Sequence, residues 1–170
     1  FAVDGSQILP SKDFFPPIAA VQAAKFENFH SSDGRYNKEL VFEVISSKEI
    51  VEGEKELSNG DHYVTYRRFK LEVNTIIDYL NTCANSIEKP IVFFDGSLIL
   101  SFIAAEGGTV SNEELRKDYI KTILELLKLS EKMRVPIISF IDTSKAHDLI
   151  QMIKAYSGLE DTKILKDTYL

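Results

Sequence analysis

The sequence has little cysteine, no long apolar run and no excess of positive charge. Cys83 is the one cysteine among 170 residues, so no disulfide can form within the chain. Its place in an apolar helical pattern predicts a buried core residue, which fits a reducing cytosol. No stretch reaches the ~18 consecutive apolar residues of a membrane span, and the N-terminus lacks the layout of a signal peptide. We therefore expect a soluble, cytoplasmic protein without a membrane partner.

The charge balance excludes one class of nucleic-acid binder but not another. The net charge of −6 is opposite to that of proteins that clamp nucleic acid irrespective of sequence. A nuclease remains compatible with it, because a carboxylate site for divalent cations is strongly negative before the metals bind. His30, His62 and His147 lack the spacing of zinc ligands, and no histidine lies near Ser6 or Ser97 in the sequence. Zinc and serine-nucleophile chemistry therefore have little support.

The length and composition predict one domain. With 170 residues and 44% hydrophobic content, the chain can bury one sizeable core. It begins at Phe1 rather than Met and stops at Leu170 directly after a periodic segment. We therefore expect residues 1–170 to form a single domain that is incomplete at both ends.

The most informative feature is a motif that occurs twice, as Val3-Asp4-Gly5-Ser6 and as Phe94-Asp95-Gly96-Ser97. One Asp-Gly-Ser would be ordinary turn chemistry, because Asp hydrogen-bonds its own backbone and Gly tolerates positive φ. Two copies after matched apolar runs predict two buried strands that end in the same acidic turn. Carboxylates held by neighbouring strands form a hard, oxygen-only site for a divalent cation. Asp4 and Asp95 are thus candidate metal ligands.

The order of apolar patterns predicts three strands with hairpin-like links, followed by helix, strand, helix, strand and helix. Hairpin strands pair antiparallel and strand-helix-strand units pair parallel, so strand four is expected beside strand one. Asp33 is expected to be a turn residue, the Glu-rich segment before Gly60 a solvated excursion, and Asp61 a helix N-cap. The predicted strands span about 2–4, 18–29, 40–45, 90–94 and 136–141, and the predicted helices 61–84, one that follows a Ser111/Glu114 capping box, and 148–156.

The first long helix carries a third candidate acid, Glu72, at the edge of its apolar stripe. Its carboxylate could lean toward an end of the sheet, or it could be a solvated Glu paired with Arg68 one turn earlier. Tyr63, Tyr66 and Phe69 on the same helix could offer a base-stacking face, but packing of the helix is the favoured role. Both roles for Glu72 remain open at this point.

This element order resembles the RNase H-like fold, whose first strand, first helix and fourth strand each carry a metal-binding acid. Asp4, Glu72 and Asp95 fall in those positions. Within that fold, the paired Asp-Gly-Ser motifs, the helical segment 67–72 and Ser144-Lys145 resemble the NurA nuclease family, and the resemblance extends from Val3 to about Tyr169.

The resemblance implies an α/β, RNase H-like mixed sheet flanked by helices, and a DNA nuclease that uses Mn²⁺, with Mg²⁺ as the alternative. Asp4 would bind both of two ions, Asp95 and Glu72 would each complete one shell, and Lys145 would face the phosphate unless it is a solvated lysine. The implied activities are single-strand endonuclease and 5′-to-3′ exonuclease. The implied partners are single-stranded DNA and duplex ends, a second copy in a homodimer, and a HerA-type hexameric ATPase, in resection of broken ends for recombinational repair.

Some residues and two rival functions stay open. The family also carries a Tyr and a His toward its C-terminus; this sequence stops before that region, and His147 and Tyr169 do not sit in that motif. Whether Asp142 is a ligand or a local extra stays open. An ATP-binding domain of the actin and sugar-kinase kind shares the fold and also uses acidic, Gly-rich turns. A catalytically silent RNase H-like interaction module is the other rival, although it would not explain the three acids.

Overall fold

The computed structural model describes residues 1–11, 13–57, 60–96, 98, 113–140, 152 and 156, and for 54–57 and 113–115 it describes the backbone alone. The chain divides into two compact units, Phe1–Ser139 and Phe140–Leu170. Almost all described residues belong to the first unit, and the single domain stays a prediction. Within the described ranges, no helix combines the length and apolar character that crossing a membrane requires.

The described elements follow the predicted order as far as the fifth strand, except that one additional helix lies between the third strand and the long helix. They are β1 (Ala2–Ile8), β2 (Ala19–Asn28), β3 (Tyr36–Ile45), α1 (Ser47–Leu57), α2 (Gly60–Thr82), a short 3₁₀ turn (Cys83–Asn85), β4 (Val92–Asp95), α3 (Glu113–Met133) and β5 (Ile137–Phe140).

The strands form a five-stranded mixed sheet in the order β3-β2-β1-β4-β5. The β1–β2 and β2–β3 pairs are antiparallel, whereas β1 and β4 run parallel with Val3 opposite Phe94. The prediction that strand four lies beside strand one is therefore confirmed, and with it the α/β fold of the RNase H-like kind.

Helix α2 covers one face of the sheet with the apolar stripe predicted for it. Phe69, Val73, Ile76, Leu80 and Cys83 are all buried. The Phe69 ring stacks on Tyr119 of α3 with ring centroids 3.9 Å apart, and its edge meets Phe94 of β4 at 6.4 Å. These contacts confirm that aromatic residues of α2 pack the core, because burial leaves the Phe69 ring no open face for a base.

The Glu-rich segment before α2 is a helix, so the prediction of a solvated excursion is wrong. A capping box starts α1: the Ser46 backbone N–H donates to Glu49 at 2.9 Å, and the Glu49 N–H donates back to the Ser46 hydroxyl at 3.4 Å. Ile50 is buried in the core, and Arg67 of α2 donates to Glu49 and to Glu43 of β3, each at 2.9 Å. The contact of Ile50 with the core and the ion pairs of Arg67 stabilise α1. Neither can be recognised from the charged local sequence, so the helix was not predicted.

Strand β1 is longer than predicted, and this changes the place of Asp4. Antiparallel pairing with β2 runs from Ala2 opposite Phe26 to Ile8 opposite Ala20. Asp4 and Gly5 therefore lie inside a strand rather than in a turn after it. Gly5 has no side chain to pack, but the continuous ladder keeps the segment extended.

Smaller differences concern the other element bounds. Strand β3 begins at Tyr36 rather than near Leu40, and β5 is only half-buried. Helix α2 begins at Gly60, so Asp61 lies in its first turn instead of preceding it. Asp33 is confirmed as a turn residue, and its carboxylate accepts a hydrogen bond from the Ser31 hydroxyl. Leu127 of α3 belongs to the apolar pattern of that helix but is 41% exposed, whereas Tyr119, Ile123 and Leu126 are buried.

Candidate active site

Asp4 and Asp95 lie side by side at the centre of the sheet. Each is the residue that follows one member of the parallel pair Val3–Phe94, and β4 ends at Asp95. Val3 and Phe94 are buried in the core beneath α2, while Asp4 and Asp95 are exposed. Because successive side chains of a strand point to opposite faces, both aspartates project from the face opposite α2. The structure thus brings the two Asp-Gly-Ser acids together as the sequence predicts.

Glu72 reaches the sheet from the other side, through the position that Gly5 leaves empty. A Cβ built on Gly5 would lie 1.7 Å from Oε1 of Glu72 and 2.5 Å from its carboxyl carbon. Glu72 is only 6% exposed, although it belongs to the most polar residue class. The absence of a side chain at Gly5 therefore permits the Glu72 carboxyl to lie against β1. Gly5 directly follows Asp4, so this contact is one residue away from a candidate ligand.

The environment of Glu72 favours its neutral form. Burial is the main cause that raises the pKa of Glu72 to about 7; the charge of Arg68 lowers this pKa, and the charges of Asp4 and Asp95 raise it. Arg68 Nε lies 3.3 Å from Oε1 of Glu72, but without hydrogen-bond geometry. The prediction that Glu72 leans toward the sheet is therefore confirmed, and the alternative of a solvated Glu is wrong, although the expected pairing with Arg68 is present. The positive charge of Arg68 offsets only part of the local negative charge.

The phenol of Tyr119 completes the buried side of this region. Tyr119 is 4% exposed and stacks on Phe69. Burial raises the pKa of Tyr119, and the charge of Glu72 raises it further. Glu72 is therefore held at the boundary between an aromatic core and the acidic centre of the sheet.

The donor chemistry of the three acids fits a hard divalent cation, although their side chains do not form a closed site. Over the ranges that the structure describes, no group of three or more His, Cys, Asp or Glu side chains is placed to hold a metal ion. Carboxylate oxygens are the ligands that Mg²⁺ and Mn²⁺ prefer. Asp4 and Asp95 are exposed, so their torsions are free to turn toward an ion, and a cation would relieve the repulsion that they exert on Glu72. The assignment of these residues as ligands stays a prediction.

Other predicted site residues fall outside the described part of the chain. These are Lys145, Asp142 and Ser97, together with Ser144, His147 and Tyr169.

The sequence interpretation missed the role of Gly5, which was taken for a turn residue. The signal that could have found it is a glycine inside an apolar strand pattern, which marks a close approach of another group to the backbone. Glu72, at the edge of the apolar stripe of the packed helix, is the group that makes this close approach.

The sheet order and the paired central acids define an α/β protein of the RNase H-like class with an acidic centre. The sequence model of the NurA domain matches residues 1–169, nearly the whole chain. The chain belongs to the NurA family, which is a family of nucleases. No curated protein and no solved structure shows significant similarity to it.

Proposed function

We propose that this protein is a metal-dependent deoxyribonuclease in which Asp4, Glu72 and Asp95 hold two Mn²⁺ ions, with Mg²⁺ as the alternative. One observation carries the proposal. Asp4 and Asp95 lie next to each other on adjacent parallel strands, and the carboxyl group of Glu72 packs against Gly5, the residue that follows Asp4. The charges of the exposed Asp4 and Asp95 add to burial in raising the pKa of Glu72, and acids that perturb one another in this way are candidates for a functional site.

The carboxylates of the chain would hold the metal ions and balance their positive charge. Asp4 would contact both ions, while Asp95 and Glu72 would each complete the shell of one. When bound, two metals supply an activated water, stabilisation of the transition-state charge and help for the leaving oxygen. Glu72 must give up its proton to bind a cation, and because its pKa in the metal-free protein is raised to about 7, metal binding should weaken as pH falls below neutral. Lys145 would offer a point charge to the phosphate.

The finer features of this proposal come from the family resemblance. They are single-strand endonuclease and 5′-to-3′ exonuclease activity, a homodimer, and cooperation with a HerA-type hexameric ATPase in resection of DNA ends during recombinational repair. Membership of the NurA family supports nuclease activity, and the finer features rest on the resemblance alone.

One observation weighs against ATP binding as the alternative. The segment that links β1 to β2, residues 9–18, contains no glycine and carries Pro10, Pro16 and Pro17. A loop that wraps phosphates presents several backbone N–H donors, usually from glycines, whereas proline has no N–H. This link is therefore poorly suited to cradle a nucleotide phosphate chain.

The decisive experiment is cleavage of end-labelled single-stranded DNA by the full-length protein with Mn²⁺, with Mg²⁺ and with a chelator. Asp4→Ala and Asp95→Ala should each reduce cleavage by more than the roughly 10- to 100-fold typical of residues that only support metal ligands. Asp78→Ala, which changes an exposed aspartate on α2, is the matched control and should cleave normally. Thermal melts of all variants check folding. Cleavage that persists in chelator or in Asp95→Ala would contradict the proposal.

A further inference from the structure

An open concavity adjoins Asp4 on the face of the sheet opposite α2. Cross-strand pairing places Asp4 opposite Ala24 and Ala24 opposite Leu40, and the next row contains Ala2, Phe26 and Lys38. Side chains from these two rows line a hollow of about 470 Å³. The candidate metal ligand Asp4 therefore forms part of its wall.

The hollow has a clear physical origin in the sizes of the side chains that line it. Ala2 and Ala24 are small and form a low floor, while Phe26 and Leu40 rise beside them. Phe26 is 39% exposed and Leu40 is 59% exposed, so apolar surface of both faces solvent. Exposed apolar side chains grouped around a recess are typical of a ligand-binding or interaction site.

A positive charge lies over the aromatic side of this hollow. Lys38 Nζ is 5.8 Å from the ring centroid of Phe26 and 5.1 Å from that of Tyr36, and these two ring centroids are 5.7 Å apart. None of the described carboxylates forms an ion pair with Lys38, whereas neighbouring Lys25 pairs with Glu39 at 2.5 Å. Lys38 is thus placed to meet an anion that reaches the aromatic rings.

We propose that the hollow bounded by Asp4, Ala24, Phe26, Lys38 and Leu40 binds one unpaired base of a DNA strand. This inference rests on the proposed nuclease function and names the part of the site that selects the substrate. The base would stack on Phe26, and Lys38 would contact a phosphate of the same strand. The phosphate on the other side of the base would then lie toward Asp4 and the metals.

Charge complementarity favours a nucleotide over a purely apolar occupant. An apolar protein segment or a lipid chain in this hollow would bury the charges of Lys38 and Asp4 without partners, which is costly. A nucleotide supplies a π face for Phe26 and an anion for Lys38, and a cation at Asp4 satisfies the remaining charge. A base paired within a duplex has both faces stacked, so it could not enter without leaving the helix. Phe26 would thereby make this site prefer single-stranded DNA.

The test measures binding of a fluorescent single-stranded oligonucleotide to the full-length protein by anisotropy, in chelator so that no cleavage occurs. Phe26→Ala should raise Kd by about 5- to 150-fold, the range expected for loss of one base–aromatic stack. Phe26→Leu keeps apolar bulk and should lose binding almost as strongly. Lys38→Gln should weaken binding and flatten its salt dependence. Phe42→Ala, which removes another exposed phenylalanine of the same face outside the hollow, should bind as the unaltered protein does.

A matched change in the ligand sharpens the result. Oligonucleotides with one abasic position, moved along the strand, should show weaker binding at one register, and Phe26→Ala should abolish that dependence. Wild-type affinity in Phe26→Leu, or a change of oligomeric state in Phe26→Ala without a change of Kd, would overturn the inference and indicate a protein interface. Binding is measured without metal, so the inference can fail while metal-dependent cleavage persists, and loss of cleavage alone would fault only the proposed function.

Discussion

The Asp-Gly residues of the two Asp-Gly-Ser copies are identical in sequence but differ in backbone structure. The first lies inside β1, with a partner in β2 for every residue from Ala2 to Ile8. The second sits where β4 ends at Asp95, and Gly96 adopts a φ of 148°. Identical residues thus serve an extended strand in one place and the exit from a strand in the other, because the neighbouring strands differ.

Each glycine is required for a different physical reason. At Gly5 the backbone is extended and any residue could adopt it, but a side chain would collide with Glu72. At Gly96 the nearest atom to an added Cβ is on the Phe94 ring at 3.3 Å, so space is tight but present, and the backbone conformation is what disfavours other residues. Two kinds of substitution should therefore separate a steric role from a conformational one.

Gly5→Ala should have the largest effect on cleavage. The new Cβ would overlap the Glu72 carboxyl and must drive it from β1, so we expect a loss of activity of about 100-fold or more, comparable to loss of a ligand. End-labelled DNA cleavage with Mn²⁺ measures this, and circular dichroism checks that the sheet survives. Gly34→Ala is the control: nothing lies within 4 Å of an added Cβ there, so although its φ of 65° disfavours alanine and should lower stability, cleavage by the folded protein should be unchanged. Full activity of Gly5→Ala would mean that Glu72 is not needed at this position.

Glu72→Gln should stabilise the metal-free protein as pH rises. The folded-state pKa of Glu72, about 7, exceeds the ordinary 4.5, so its contribution is present below pH 4.5 and is lost as pH rises through 7. Glutamine resembles the protonated acid and loses nothing, so the difference in unfolding free energy should grow from near zero at acid pH to roughly 3 kcal/mol above pH 8. Urea melts in chelator at several pH values measure it, and cleavage should fall in the same variant.

Glu49→Gln provides a control of opposite sign. The backbone N–H of Ser46 is the main cause that lowers the pKa of Glu49 to about 2, with Arg67 adding to the shift. The stability that Glu49 contributes is therefore present above its ordinary pKa of 4.5 and lost as pH falls toward 2, so the glutamine variant should be destabilised at neutral pH. A pH-independent difference for Glu72→Gln would contradict the raised pKa.

Gly96→Ala should have a smaller effect, mostly on stability. A φ of 148° is rarely adopted by residues with a side chain, and strain of this kind costs about 1–3 kcal/mol. The Ser139 hydroxyl donates to the Gly96 carbonyl, so β5 holds this backbone and limits its relaxation. Thermal melts should show the loss, with cleavage reduced less than in Gly5→Ala. The reverse order of activities would mean that the second copy, rather than the first, depends on close packing of its glycine.

Most of the fold could be predicted because it depends on local patterns and general rules of chain connection. The stripe of α2 and the apolar run of β4 indicated their partners, and hairpin and crossover rules placed β4 beside β1. The failure at α1 had a tertiary cause: Ile50 reaches the core and Arg67 binds both Glu43 and Glu49, and neither contact is visible in a charged local segment.

The site was predictable in its residues but not in its geometry. The repeated motif indicated Asp4 and Asp95, and the structure places them next to each other. The length of β1 was not predicted. The Asp-Gly-Ser motif indicated a turn after Asp4, whereas pairing with β2 continues the strand to Ile8. The burial of Glu72 depends on two elements far apart in sequence that meet at Gly5, and the raised pKa follows from that meeting.

Ser6→Ala should have the smallest effect and tests whether the serine of the first copy has any chemical role. Gln22 Nε2 donates to the Ser6 hydroxyl at 2.7 Å across the β1–β2 pair, on the exposed face. An exposed hydrogen bond of this kind contributes about 1 kcal/mol or less, so the variant should melt almost as the unaltered protein does and cleave DNA at the same rate. A hydroxyl needed as a nucleophile would instead make the rate collapse with no change in stability. Equal rates would leave the carboxylates as the feature of this segment that chemistry requires, and would make the serine a strand residue with a polar partner.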